Sequence, residues 1–141
     1  VIAVELSAEH KIKRVYVKSI DDYSAKSLTP IFEEHIDPSA KIVTDKWRGY
    51  APLKKNYDIE QKLSNNGSNF KELHVVIMQL KSWLRAIPTH VSKWHVQSYF
   101  DEFCFRINRS QSKQSIFHKT IERMVIAKPI YHKDIKQMLS V

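Results

Sequence analysis

The hydrophobic period of this chain changes once, at the polar loop Ser64-Asn65-Asn66-Gly67-Ser68-Asn69, and that switch limits the folds open to it. Ahead of the loop, apolar residues come in short, often β-branched runs. Val1–Leu6 is continuous enough to read as a strand buried on both faces. Ser7–His10 is a polar turn, and Ile12–Ile20, with Val15 and Val17 on one face, completes a hairpin. Lys41–Thr44 and Ile59–Leu63 read as a short strand and an edge strand. A helix over Leu28–Ile36 interrupts them, with Ser27 as its N-cap and Pro30 in its first turn, where the backbone donors are unpaired anyway. Trp47–Pro52 is a turn, and Leu53–Tyr57 reads as helical.

Beyond the loop the spacing is helical throughout. Phe70, Leu73, Val76, Ile77, Leu80 and Leu84 make one face of a helix over Phe70–Ala86, ended by Pro88. Ser92 is the expected N-cap of the next helix, with Val96, Tyr99, Phe100, Phe103 and Ile107 as its stripe. Ile116, Phe117, Thr120, Ile121 and Met124 define a third helix running up to Lys128-Pro129, and a short terminal one is expected around Ile135–Leu139. Strands first and helices after predict an α/β fold, a mixed sheet covered by helices. The length, 141 residues, suits one domain with a short extension.

Composition excludes several functions. Two glycines, Gly49 and Gly67, leave no Gly-rich phosphate loop or dinucleotide fingerprint. The lone cysteine, Cys104, allows neither an internal disulfide framework nor a multi-cysteine metal site. No apolar run approaches the roughly 18 residues that span a bilayer, and no signal peptide is visible, so a cytoplasmic location is expected and no membrane partner. The formal charge of +8 favours a polyanion, because each phosphate neutralised by Lys or Arg releases counterions. The cations cluster in Lys11–Lys18, Lys81–Arg85, Arg106–Lys119 and Lys128–Lys136.

Three places are candidates for chemistry. Asp45 follows a short apolar strand, at the end where ligands gather in open α/β sheets. Its carboxylate either holds a divalent cation or simply opens a turn. His74 and Lys81 lie seven apart on the Phe70–Ala86 helix, nearly on one face and roughly 10 Å apart along the axis. The imidazole is either a metal ligand or a histidine at the margin of a core face, and the lysine either holds a phosphate or is solvated. In the segment Tyr99–Arg109, Asp101 and Glu102 read either as a paired-carboxylate site or, as preferred, as part of a helix-packing segment. Arg106 and Arg109 either face phosphate or answer the helix macrodipole.

Together these strings resemble a known family. Thr44-Asp45-Lys46-Trp47-Arg48-Gly49-Tyr50, then Leu80-Lys81-Ser82-Trp83-Leu84-Arg85, then Tyr99 to Arg109 are similar, in order and spacing, to consecutive signatures of prokaryotic insertion-sequence transposases. The subgroup resembled is the DDE type whose third catalytic residue varies among Glu, Asn and His. The resemblance implies a ribonuclease-H-like sheet flanked by helices over residues 1–125, with a helical tail over residues 126–141. It implies hydrolysis and strand transfer of DNA phosphodiesters at insertion-sequence ends, with two Mg²⁺ or Mn²⁺ ions. Asp45 and His74 would be catalytic metal ligands, with Lys81 as the catalytic basic residue after them. Lys46, Trp47, Arg48, Lys81, Arg85, Arg106 and Arg109 would contact DNA. The expected partners are double-stranded DNA, both transposon ends and target, and at least one further copy of the chain, in association with the nucleoid.

No residue here aligns with the first catalytic Asp of that family, which stands on a strand upstream of Val1–Leu6. The chain is therefore expected to be an N-terminally truncated catalytic domain, inactive alone. The alternative is a non-catalytic DNA-binding remnant of the same fold.

Overall fold

A computed structural model describes residues 1–87, 91–110, 116–131 and 134. Strand β1 (Ile2–Leu6) pairs antiparallel with β2 (Ile12–Val17), Ile2 opposite Val17 and Val4 opposite Val15. The connection is tight, with His10 at φ 57° and its N–H donated to the Ser7 carbonyl. The alternation of β2 places Val15 and Val17 in the core and leaves Arg14 in solvent. The strand stops three residues short of Ile20. Val17 is the last residue to find a partner in β1, and the N–H of Ser19 goes instead to Gln97 Oε1 at 2.9 Å.

Helix α1 (Ala25–His35) begins three residues earlier than its sequence suggested. Ser24, not Ser27, is the N-cap, and its Oγ accepts the Ser27 N–H. Pro30 therefore lies inside the helix rather than in its first turn. It is tolerated because it sits on the exposed side, as does Lys26, whose carbonyl it cannot serve. Leu28, Ile31 and Phe32 form the buried face of α1.

Strands β3 (Lys41–Thr44) and β4 (Asp58–Gln61) pair in parallel, Ile42 opposite Ile59. Their crossover contains two 3₁₀ turns, Arg48–Tyr50 and Pro52–Lys55, the second standing where a helix over Leu53–Tyr57 was expected. Leu28, Phe32, Leu53, Tyr57 and Ile59 make the core of this half, with the Phe32 and Tyr57 rings edge-to-face at 5.3 Å.

The other core joins Val15 and Val17 to Val76 and Leu80 of α2 (Lys71–Arg85) and Phe103 of α3 (Val96–Arg109). Ser92 does not cap α3: its Oγ accepts the Trp94 N–H in a turn ahead of the helix, whose N-cap is His95. Helix α3 also closes the outer edge of β2. Asn108 accepts the Val15 N–H at 2.7 Å and donates to the Val15 carbonyl at 2.8 Å, while Gln97 donates to the Val17 carbonyl at 3.1 Å. Two amide side chains thus do for that edge what another strand would do.

The sequence suggested one mixed sheet, but the described residues form two sheets of two strands each, one antiparallel and one parallel. Apolar alternation fixes which face of a strand is buried, not which strand lies beside it. Helix α4 (Ile116–Ile126) follows, with Phe117, Met124, Val125 and Ile126 largely exposed. It ends ahead of Lys128-Pro129, because a residue preceding proline disfavours helical backbone. The helix expected at Ile135–Leu139 lies outside the described residues. Among the described residues no helix is long and apolar enough to cross a membrane.

Candidate functional site

The turn after β3 is built by its own sequence. Asp45 Oδ1 accepts the Trp47 N–H at 3.2 Å, an Asx-type closure. The Trp47 indole N–H donates to the Tyr23 carbonyl at 2.9 Å, and the Gln61 side-chain amide donates to the carbonyls of both Asp45 and Trp47. Gly49 is required by this arrangement. A Cβ there would stand 2.7 Å from both the Trp47 Nε1 and the Tyr23 carbonyl oxygen. Tyr50 then turns inward toward Phe32, ring centroids 6.2 Å apart. Burial pushes the Tyr50 hydroxyl's pKa up, and the charge of Asp45 adds to that. Asp45 itself is exposed at the carboxyl end of β3, as expected, and it does open the turn.

His74 is held by a different device. Asn65, Asn66 and Gly67 are consecutive left-handed residues, at φ 47°, 52° and 89°. The 3₁₀ segment they form (Asn65–Phe70) feeds directly into α2. It brings the buried Gly67 under the imidazole. A Cβ at Gly67 would overlap Nε2, Cε1 and Cδ2 of His74, so the ring occupies the space that any other residue would fill. Nothing in the sequence pattern signals this contact. Only the presence of one of two glycines in a polar loop hints at a special position.

The predicted cations differ in their engagement. Lys46, Arg48, Lys81 and Arg85 are exposed and make no ion pair or side-chain hydrogen bond among the described residues. Arg106 is held by Glu102 one helical turn earlier, through two bonds of 2.9 and 2.7 Å. Arg109 lies over the Phe105 ring at 3.9 Å. Trp47 is half-exposed, edge-on to Tyr23. Trp83 packs against Tyr99 and Phe103, which makes it a core residue. Asp101 accepts from Gln97, and Cys104 packs against the core, where burial pushes its thiol up.

Helix α2 packs on β1, on α3 and on the 3₁₀ segment before it. Among the described residues no three His, Cys, Asp or Glu side chains gather closely enough to hold a metal ion. Asp45 and His74 therefore do not fit a two-ion centre on their own. Two hard cations about 3.5–4 Å apart need several bridging or flanking oxygens.

Comparison with known proteins gives the class, that of transposases. Residues 1–108 match the ISXO2-like transposase domain, and the chain belongs to that family. It is similar to an uncharacterized transposase-like protein of Haemophilus influenzae, 25% identical over 109 residues, which cover 73% of this chain and 88% of that protein. No solved structure matches it significantly.

Proposed function

We propose that this domain acts on DNA phosphodiesters at the ends of an insertion sequence, as a ribonuclease-H-like DDE transposase. The observation that carries the reading is the turn at the end of β3. Four interlocking hydrogen bonds and an obligatory glycine present one carboxylate, Asp45, at a strand's carboxyl end, beside two cations, Lys46 and Arg48, that make no ion pair among the described residues. A hard-cation ligand next to phosphate-binding charge is the chemistry that phosphodiester transfer needs. In this reading Asp45 and His74 supply two donors, and Lys81 and Arg85 grip the DNA backbone nearby. Mg²⁺ or Mn²⁺ would require a further carboxylate, and no step is assigned to it with the donors present.

The topology suggests where that carboxylate belongs. The outer edge of β2 is closed by α3, whereas β1, β3 and β4 each keep an edge without a strand partner among the described residues. In this reading a further strand bearing the first catalytic Asp would pair with β1 and β3 and join the two sheets into one.

The test is Mn²⁺-dependent nicking and strand transfer on insertion-sequence-end DNA. The chain as it stands should be nearly inactive. The chain extended by an Asp-bearing strand should cleave, and Asp45→Asn should abolish that activity. Robust cleavage without the strand, or cleavage surviving Asp45→Asn, would overturn the reading. That no three-ligand cluster gathers among the described residues favours a second reading, a non-catalytic DNA-binding remnant. That reading predicts DNA binding that no added strand converts into cleavage.

A further inference from the structure

Arg109, at the end of α3, and Arg123, on α4, both stand over the same aromatic ring, with their guanidinium carbons 3.9 and 5.8 Å from the centroid of Phe105. The two charges are thus within about one Debye length of each other at 0.1 M salt (~10 Å) and repel. Arg109 also donates to the Phe105 carbonyl at 3.5 Å. The same two arginines line a cleft of about 370 Å³ with Lys119, Ile126 and a single acid, Glu122. Among the described residues Arg109, Lys119, Arg123 and Glu122 make no ion pair.

A helix C-terminus accounts for Arg109, because the macrodipole favours a cation there. It does not account for Arg123 and Lys119, which arrive from another helix and add to the repulsion. A cation–π contact at an exposed site is a small stabilisation, comparable to what like charges cost at this distance. The arrangement becomes favourable when an anion sits between the cations.

We propose that this α3–α4 cleft is a phosphate site that takes the DNA backbone, with Arg109, Lys119 and Arg123 as its contacts. It rests on the reading of the chain as a DNA-processing domain. It extends that reading to α4, which lies beyond the residues 1–108 that match the family. The cations come from two helices and line a cleft partly open to solvent rather than a closed cage, which suits a phosphodiester in a long chain better than one free phosphate. The exposed apolar face of α4 makes an anionic membrane surface the competing occupant, to be separated by experiment.

The measurement is the salt dependence of binding to a 30-base-pair DNA duplex, for the full chain and for Lys119→Gln/Arg123→Gln. Both residues are exposed and outside either core, so the variant should fold, as circular dichroism would verify. Each lost phosphate contact lowers the slope of log K against log salt by about 0.9, so the pair should lower it by about 1.8 and weaken binding about 10- to 100-fold at 0.1 M salt. Glu122→Gln should do the reverse and tighten binding.

An unchanged slope in the double variant, while the parent binds DNA steeply, overturns the cleft and leaves the wider reading standing. A parent that binds no DNA overturns both. Binding to phosphatidylserine vesicles that is lost in the variant, with DNA binding unaltered, assigns the cleft to a membrane and overturns the proposal. Inorganic phosphate binding that the double variant loses, again with an unchanged DNA slope, does the same in favour of a free anion.

Discussion

Gly67→Ala tests the contact on which the placement of His74 depends, and its cost divides into two parts. Gly67 sits at φ +89°, a conformation that L side chains rarely adopt. Forcing an alanine there costs about 1–2 kcal/mol. The new methyl also overlaps the His74 ring. That ring is the far end of an exposed side chain, so it can swing away rather than push the backbone. The swing costs about 0.5–1 kcal/mol if it forces an off-rotamer side chain. The total, about 1.5–3 kcal/mol, should lower Tm by several degrees for a domain of this size, at roughly 3–5 °C per kcal/mol. His74→Ala alone should cost little. In the His74→Ala background, Gly67→Ala should lose only the backbone part, so the double-mutant cycle gives a coupling of about 0.5–1 kcal/mol. The cycle would be read by denaturant titration, and the ring by the His74 Cε1–H resonance in a ¹³C-resolved NMR spectrum. A resonance unmoved by Gly67→Ala would refute the contact. If the entire loss vanished with the imidazole, the left-handed backbone would not be the dominant cost and the division above would fail. Where the extended, cleavage-competent chain is available, Gly67→Ala should impair cleavage about as much as His74→Ala, because it moves the same ring.

Asn108→Ala removes both bonds to Val15 and leaves a buried backbone N–H and carbonyl unpaired, so it should cost about 2–4 kcal/mol in denaturant unfolding. Asn108→Asp keeps the acceptor but loses the donor and should fall between. Gly49→Ala should cost about 1–3 kcal/mol, since its methyl meets a backbone carbonyl that has no rotamer to retreat into. The loss of the Trp47–Tyr23 bond should appear as altered tryptophan fluorescence. The Ser24 hydroxyl first, then the Ser27 hydroxyl, whose Oγ lies 2.7 Å from Asp22 Oδ1, and then the Ser24 N–H at 2.8 Å hold the Asp22 carboxyl down at about 2 from an ordinary 3.8. The folded pKa is the depressed one, so this contribution to stability is full above pH 3.8 and is lost as pH falls toward 2. Asp22→Asn should flatten the unfolding midpoint over that window, and an equally steep acid limb in the variant would count against the cap.

The elements were legible where a short pattern carried its own reason. The hairpin followed from the alternation of Val15 and Val17, and α2 from the spacing of Val76 and Leu80, because burial of one face fixes the period. The Asp45 turn was legible as a turn because aspartate, tryptophan, glycine and tyrosine stand in a compact string. Its internal logic was not, because the partners of Trp47 and Gln61 come from Tyr23 and from the turn's own carbonyls, distant in sequence. Caps were misread by three residues where serines were abundant. Ser24, Ser27 and Ser92 are all chemically able to cap, and only the backbone path selects among them.

The closed edge of β2 was not legible in the sequence, and it bears on function. In the segment Arg106-Ile107-Asn108-Arg109 the eye goes to the charges, yet Asn108 is the residue with structural consequence. Its amide, with that of Gln97, satisfies the edge of β2 and so ends the sheet on that side. Arg106, which looked free to meet phosphate, is already held by Glu102, and its displacement toward DNA would have to break two charge-assisted bonds. Among the described residues, Lys46 and Arg48 beside Asp45, Lys81 and Arg85 along α2, and Lys119 in the α3–α4 cleft make no ion pair. With the β2 edge closed, the open edges are those of β1, β3 and β4, and under the proposed function the added strand enters between β1 and β3, beside the strand that Asp45 follows. A strand engineered to pair with β2 instead should neither bind nor restore cleavage, and one directed to β1 and β3 should raise Tm even when its Asp is replaced by Asn, since pairing and ligation are separate contributions.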